Sequence, residues 1–335
     1  MLAIIVPVLN EEAVLPSVLD RLTEVLGEFA AQRVSGRVVF VDDGSSDRTR
    51  ELIRNHSERD PRFGFIGLSR NFGHQVAVSA GIREVDADLY AIIDGDLQDP
   101  PELLPAMIGH LDTGADVVYG VRATRRESAA LRTAYWAFYR LLQRAAYLDI
   151  PLDAGDFCVM NRTIVDAMRS LGEHRPFVRG LRSWVGFSQV AFPYDRDARA
   201  AGEVKYTLRK LIRLAGDGLL SFSYAPLRLI TLLGIAISTL AVVGVALVIA
   251  LKLVWGIPLQ GWASLVAIML FLGGVQTLSI GVVAEYLARV FEEAKGRPLY
   301  VVSERAGLGN TIDEAGVEPE IVTRARSGLG SGVLR

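Results

Sequence analysis

Cysteine is nearly absent from this 335-residue chain, where Cys158 stands alone. A disulfide framework within the chain is excluded. With no Cys-x-x-Cys pair and no Cys/His cluster, neither zinc binding nor dithiol redox chemistry has its ligands. Cys158, between Phe157 and Val159, is expected to be a small core residue. Excess charge is lacking too. Lys and Arg number 36 against 38 Asp and Glu, and the net charge of −2 excludes a nucleic-acid binder that works through bulk charge. The first strand-to-helix turn, Pro7-Val8-Leu9-Asn10-Glu11-Glu12, contains no glycine. A dinucleotide-binding oxidoreductase needs Gly-x-Gly-x-x-Gly there, so that reading is rejected. The N-terminus, Met1-Leu2-Ala3-Ile4-Ile5-Val6-Pro7, has no basic stretch and too short an apolar run for a signal peptide. It reads as a buried strand, and the catalytic part is expected to stay in the cytoplasm.

What the chain does have is a regular alternation of short apolar runs and helical periodicity. Strands are predicted over 2–8, 37–41, 63–68, 89–94 and 117–120. Helices are predicted over about 12–30, from near Arg48 with Ser46 or Asp47 as its cap, over 75–85 and over 162–170. Such alternation indicates an α/β domain with a mostly parallel sheet, in which ligands bind outside the carboxyl ends of the strands. Pro7–Glu11, Asp42–Asp47 and Asp94–Gln98 all fall there.

The stretch around which the rest is arranged is Ala91-Ile92-Ile93-Asp94-Gly95-Asp96-Leu97-Gln98-Asp99-Pro100-Pro101-Glu102. Two Asp at i and i+2 on an extended strand end lie on one face, where Mg²⁺ or Mn²⁺ can draw on both and take phosphate oxygens besides. Gly95 between them leaves room for a ligand to approach the backbone. Asp-Gly-Asp and Asp-Pro-Pro also occur in ordinary solvated turns.

Residues 229–251 and 253–284 carry no charge. The first run, at ~1.5 Å per residue, spans roughly 35 Å, enough for a hydrocarbon core of ~30 Å. Trp255 and Trp262 flank the short turn between them as interfacial anchors. Lys205, Arg209, Lys210, Arg213 and Arg228 precede the hairpin, and Arg289, Lys295 and Arg297 follow it; Lys252 is the exception and can snorkel. The positive-inside rule places both termini in the cytoplasm. The expected division is a catalytic domain over 1–200, juxtamembrane amphipathic helices over 201–227, transmembrane helices near 229–252 and 262–286 within 228–288, and a partly flexible tail over 289–335. A basic, aromatic stretch from Arg122 to Tyr147 reads equally as an exposed helix face and as a helix at a membrane surface.

Five motifs in order resemble the family 2 glycosyltransferases of GT-A fold, and within them the polyprenyl-phosphate glycosyltransferases of dolichol-phosphate mannose synthase and bactoprenol glucosyltransferase type. They are Ile5–Glu12, Val41–Asp47, Asp94–Glu102, Asp153–Phe157 and Gly202-Glu203-Val204-Lys205-Tyr206. The resemblance covers about residues 1–215 and the hairpin. It implies that Pro7, Leu9 and Glu11 line the nucleotide, with Leu9 in place of the usual tyrosine, and that Asp43 accepts a hydrogen bond from the base with Val41 beside it. It implies that Asp94 and Asp96 form the Asp-x-Asp pair, with Gly95 for the common alanine and with Asp96 and Gln98 as the direct metal contacts. Arg122, Arg132 and Lys205 match positions near the donor diphosphate and the acceptor phosphate, and Asp156 matches an active-site acid. A homo-oligomer, a tetramer, is implied as well.

The expectation is therefore an integral protein of the cytoplasmic membrane. It uses Mg²⁺ or Mn²⁺ to move a hexose with inversion from a nucleotide sugar, UDP-glucose by resemblance, onto a polyprenyl phosphate. GDP-mannose is the alternative donor. A processive synthase is disfavoured because Leu181-Arg182-Ser183-Trp184 matches Gln-x-x-Arg-Trp poorly. A non-catalytic membrane scaffold that kept the fold is the reading from another class.

Overall fold

A computed structural model describes residues 1–122, 154–173, 176–195, 225–255 and 261–308. The strands are β1 (Leu2–Val8), β2 (Gly36–Asp42), β3 (Phe63–Leu68), β4 (Leu89–Ile92), β5 (Val117–Arg122), β6 (Ala154–Asn161), β7 (Gln189–Tyr194) and β8 (Val302–Ala306). The helices are α1 (Leu15–Ala31), α2 (Thr49–Ser57), α3 (His74–Glu84), α4 (Leu104–Leu111), α5 (Arg162–Arg169), α6 (Val178–Trp184), α7 (Ala225–Trp255) and α8 (Trp262–Ala294), with a 3-10 turn at Pro101–Leu103. All eight strands form one sheet in the order β7-β5-β6-β4-β1-β2-β3-β8. The pairs β1–β2, β1–β4, β2–β3 and β5–β7 are parallel, while β6 runs antiparallel between β4 and β5, and β8 antiparallel to β3.

Helices cover both faces of this sheet, which is why β1 is apolar at every position rather than at alternate ones. Leu2, Ile4, Val6 and Val8 face one core with Leu15, Val18, Leu22 and Phe29 of α1. Ala3 and Ile5 face the other, with Ala77 and Val78 of α3 and with Ile164 and Val165 of α5. Helix α1 starts later than its periodicity predicts, because the carbonyl of Glu11 accepts from both Val14 and Leu15 in a preceding turn. Strand β4 stops at Ile92; Ile93 still donates to the carbonyl of Ile5, and the chain turns at Asp94.

Three strands have no counterpart in the sequence reading. The insertion of β6 matters most, because it brings Asp156 beside the carboxyl ends of the parallel strands. The second surprise is β8. The segment expected as a tail from residue 289 is helical to Ala294 and then completes the sheet edge. Ser69 donates to the carbonyl of Val301, while Tyr300 Oη and Arg305 Nη2 reach Glu84 at 2.9 and 2.7 Å. The glycine-rich residues from 309 onward lie outside the described residues, as do 123–153 and 196–224. The amphipathic stretches predicted there, and with them Arg132 and Lys205, fall outside as well.

Helices α7 and α8 each contain a window apolar and long enough to cross a membrane, Leu227–Gly244 and Phe271–Ala294, with mean hydropathies of 2.1 and 1.3 and neither window buried. Leu229, Leu232, Ile235, Leu240, Phe271 and Leu278 are all exposed. Since β8 belongs to the same sheet, the chain returns to the domain after α8.

Candidate active site at the carboxyl ends of the parallel strands

The loops after β1 and β2 are knitted together by short polar side chains. Asn10 donates its N–H to Ser45 Oγ and accepts from Ser46 N–H on Oδ1 (2.9 and 2.8 Å), while Glu11 N–H donates to Thr49 Oγ1 at 2.8 Å. The N-cap of α2 is Arg48, which has no side-chain cap, in place of the expected Ser46 or Asp47; Asp47 accepts from Thr49 N–H and Glu12 N–H, so it holds the turn before α2 and pins the neighbouring loop at once. Asp42 is fully buried and takes Arg50 Nε at 2.8 Å. Gly44 adopts φ +77°, and a Cβ there would stand 2.5 Å from the carbonyl carbon of Arg70, so only glycine fits. Asp43 uses one carboxylate oxygen for Phe72 N–H (2.7 Å) and the other for Gly73 N–H (2.9 Å). Burial nevertheless leaves its carboxyl above the ordinary value, with the charge of Asp42 adding to the effect. Asp43 thus holds the loop into α3, whatever it also offers to a base.

The Asp94–Gln98 segment is a turn, not the extended strand end that the spacing predicted. Leu97 sits at φ +59°, a left-handed conformation that costs about 1–2 kcal/mol for an L-residue and folds the segment back on itself. Asp96 Oδ1 accepts the N–H of Gln98 at 3.1 Å. Gly95 does not leave room for a ligand: a Cβ there would stand 2.8 Å from Val8 Cγ1 and 3.2 Å from the carbonyl oxygen of Pro7, so the glycine lets the turn pack on the end of β1. The remainder of the motif is scaffolding. Asp99 is buried and takes Tyr194 Oη at 2.5 Å, and Glu102 forms a forked pair with Arg21 of α1 at 2.6 Å.

Asp156 gathers three partners. Oδ2 faces His74 Nε2 at 3.2 Å and Gln75 Nε2 at 2.8 Å, and Oδ1 accepts Arg179 Nε–H at 2.7 Å. Gln75 Oε1 in turn accepts Val178 N–H, joining α3 to α6. Burial alone would raise the Asp156 carboxyl, but the hydrogen bond from His74 and the Arg179 guanidinium hold it well below the usual carboxylate range. His74 also stands 3.5 Å from Asp94 Oδ1. Burial lowers the affinity of His74 for a proton, yet Asp156 and Asp94 together outweigh it and leave the imidazole raised. The Asp94 carboxyl is pushed up to about 6, first by burial, against the pull of His74 and with help from the charges of Asp99, Asp156 and Asp96.

Among the described residues no three His, Cys, Asp or Glu side chains converge as a metal cage. The chemistry of the turn nonetheless fits a hard cation. Asp94, Asp96 and Gln98 supply oxygens within five residues, and Asp94 is crowded by carboxylates that a bound cation would relieve. Mg²⁺ characteristically uses one or two carboxylates and completes its shell with water and phosphate.

The other expected site residues are unevenly placed. Leu9 is exposed beside the crevice and Glu11 is half-buried. Pro7 lies buried within β1, and Val41 is fully buried against α3, so its side chain serves the core. Arg122 ends β5 opposite Tyr194. Missed from the sequence were His74, Gln75 and Arg179. The first two follow the carboxyl end of β3, a position that the rule for parallel sheets marks out as readily as the loops after β1, β2 and β4. Arg179 carried no such signal, because α6 comes to Asp156 only through tertiary packing. Arg182, one turn further along α6, is fully buried and lies 4.9 Å from the centroid of the Tyr119 ring.

A sequence profile described as Glycosyl transferase family 2 matches residues 3–169. An uncharacterized glycosyltransferase, YkcC, of Bacillus subtilis (strain 168) is 44% identical over 92% of this chain and 95% of its own length. The bactoprenol glucosyl transferase of Shigella phage SfII is 37% identical over 90% of this chain and 97% of its own. Among solved structures, the mannosyltransferase PcManGT from Pyrobaculum calidifontis, in complex with GDP-Man and Mn2+, is 17% identical, covers 89% of this chain and 88% of its own, and superposes with a TM-score of 0.43. With a mixed, mostly parallel sheet of GT-A type and relatives of this identity along nearly its whole length, the chain belongs to glycosyl transferase family 2.

Proposed function

We propose that the protein is an inverting hexosyltransferase that moves glucose from UDP-glucose onto a polyprenyl phosphate at the cytoplasmic face of a membrane. The observation that carries this reading is the meeting, in one crevice, of the carboxylate turn Asp94–Gln98 with the Asp156–Arg179 pair. The bactoprenol glucosyl transferases among its relatives supply the choice of sugar and lipid. Asp94, Asp96 and Gln98 would hold Mg²⁺ or Mn²⁺, which when bound stabilises the charge developing on the leaving diphosphate. Arg122, Arg132 and Lys205 are assigned to the donor and acceptor phosphates. Pro7, Leu9, Glu11 and Asp43 are assigned to the nucleotide. A phosphate monoester has a second pKa near ~6 and reaches the site largely as a dianion, so it needs no general base. Asp156 then acts as an orienting group, in keeping with a carboxyl held well below its usual range. GDP-mannose is the second donor considered. A homo-oligomer is proposed by family resemblance.

Purified protein given undecaprenyl phosphate and a panel of labelled nucleotide sugars is expected to yield lipid-linked glucose from UDP-glucose. Transfer from GDP-mannose alone would make it a mannosyltransferase, and failure to transfer or to bind any nucleotide would leave a scaffold.

The exposed apolar helices α7 and α8 are proposed to cross the membrane, with the domain and β8 together on the cytoplasmic side. Gly261, exposed at the start of α8, then lies at the far side. Cys158 is buried and offers no competing thiol. In intact cells, Gly261→Cys is expected to react with a membrane-impermeant maleimide added from outside. Reaction only after the cytoplasmic side is opened would contradict this topology.

A further inference from the structure

The two oxygens of Asp156 are divided between two helices. Oδ2 meets His74 and Gln75 of α3, and Oδ1 meets Arg179 of α6. His74 extends the string to Asp94. The order Asp94, His74, Asp156, Arg179 therefore runs from the turn that would hold the donor diphosphate to a cation at the other end. We infer that Arg179 is a ligand of the acceptor phosphate and that Asp156 orients it, an inference that rests on the transfer to a polyprenyl phosphate proposed above.

In an inverting displacement the nucleophile approaches the anomeric carbon from the face opposite the leaving group. A lone pair on the acceptor phosphate oxygen forms the new bond to that carbon. The electron pair of the breaking C–O bond leaves with the nucleoside diphosphate, and no proton has to move. What the acceptor requires is a positive group to hold an anion close to the negative donor, with other side chains between it and the Asp94 turn, as His74 and Asp156 stand between Asp94 and Arg179. Arg179 meets both conditions. Its side chain is 35% exposed, while that of Asp156 is only 4% exposed, so a buried carboxylate fixes Nε of a guanidinium that is itself within reach of solvent. A planar fork with its orientation set through Nε is suited to a phosphate, where the round ammonium of lysine is less so. It also gives Asp156 a function that a strongly acidic carboxyl can perform, since a group held well below its usual range is a poor proton acceptor at neutral pH.

The test uses the full-length protein in nanodiscs with undecaprenyl phosphate and labelled UDP-glucose. Loss of one charge-assisted phosphate contact is expected to raise the apparent KM for the lipid roughly ten- to a hundredfold in Arg179→Ala, with the KM for UDP-glucose and the affinity for UDP within about twofold of wild type. Arg179→Lys is expected to recover part of the loss, and Asp156→Asn to show the same selective rise in lipid KM. A raised KM for UDP-glucose in place of the lipid would overturn the inference. So would a lower Tm with wild-type kinetics in the surviving protein. If Arg179→Ala does not fold, Arg179→Lys decides alone, and a lipid KM equal to wild type overturns the inference. A wild-type protein that transfers no sugar to undecaprenyl phosphate would instead defeat the proposed function, and this assignment with it.

Discussion

Asp96→Ala is expected to lower sugar transfer by about 10²- to 10³-fold while the domain stays folded. In the resting protein Asp96 is half-buried and accepts a backbone hydrogen bond from Gln98, whose loss costs about 1 kcal/mol of stability. In the reaction, a carboxylate that helps hold a divalent cation against the leaving diphosphate contributes several kcal/mol to the transition state, at about 1.4 kcal/mol per tenfold in rate. Titration of Mn²⁺ in the presence of UDP, followed by calorimetry, should show binding by wild type and its loss in Asp96→Ala. Wild-type turnover in excess chelator would remove the metal from the mechanism, and a collapse of Tm in the variant would recast Asp96 as a structural residue.

Asp94→Asn is expected to inactivate the enzyme and, at neutral pH without metal, to make it more stable. The Asp94 carboxyl is raised from an ordinary value near 3.8 to about 6 in the folded protein. A raised carboxyl means that the native state holds its proton more tightly than the unfolded chain does. Its contribution to stability is fully present below pH ~4, is lost as pH rises through about 6, and stays lost above that. A shift of about two units amounts to ~3 kcal/mol at most, and a side chain 28% exposed that also loses its attraction for His74 should show ~1–3 kcal/mol. The neutral amide avoids the ionisation. Thermal unfolding of the two proteins in chelator should therefore coincide near pH 4 and diverge by pH 7.5, with the variant higher. Added Mn²⁺ should close the gap from the wild-type side. Identical Tm values across the whole range would show that Asp94 carries no such strain. The exchange of stability for activity is the common pattern at sites that must bind a cation.

The central sheet was legible from local pattern because its physics is local. β1, β3 and the Val38–Val41 part of β2 are continuous apolar runs, and α1 carries an apolar stripe of helical period, so each element declares itself within a few residues. The same holds for the loops that follow them, since a parallel sheet places ligands at its carboxyl ends whatever the distant chain does. The hairpin was legible by length and lack of charge alone.

Other features depended on contacts made across long separations. Strand β6 opens with Ala154-Gly155-Asp156, which has the composition of a loop, and it becomes a strand because β4 and β5 each offer it an unpaired edge. Strand β8 is short and charged, and only the exposed edge of β3, more than 230 residues earlier, makes it one. Gly95 reads as an opening for a ligand until Val8 is found against it. His74, Gln75 and Arg179 are ordinary surface residues by composition; packing of α3 and α6 brings them to the two oxygens of Asp156. The sequence by itself determined the family, the parallel core and the acidic residues at the carboxyl end of β4, because these rest on residue types and spacings within one short segment. The tertiary structure alone decided which cation Asp156 grips and that the last strand closes the sheet, because charge pairing and strand pairing depend on distance in space, which local sequence does not record.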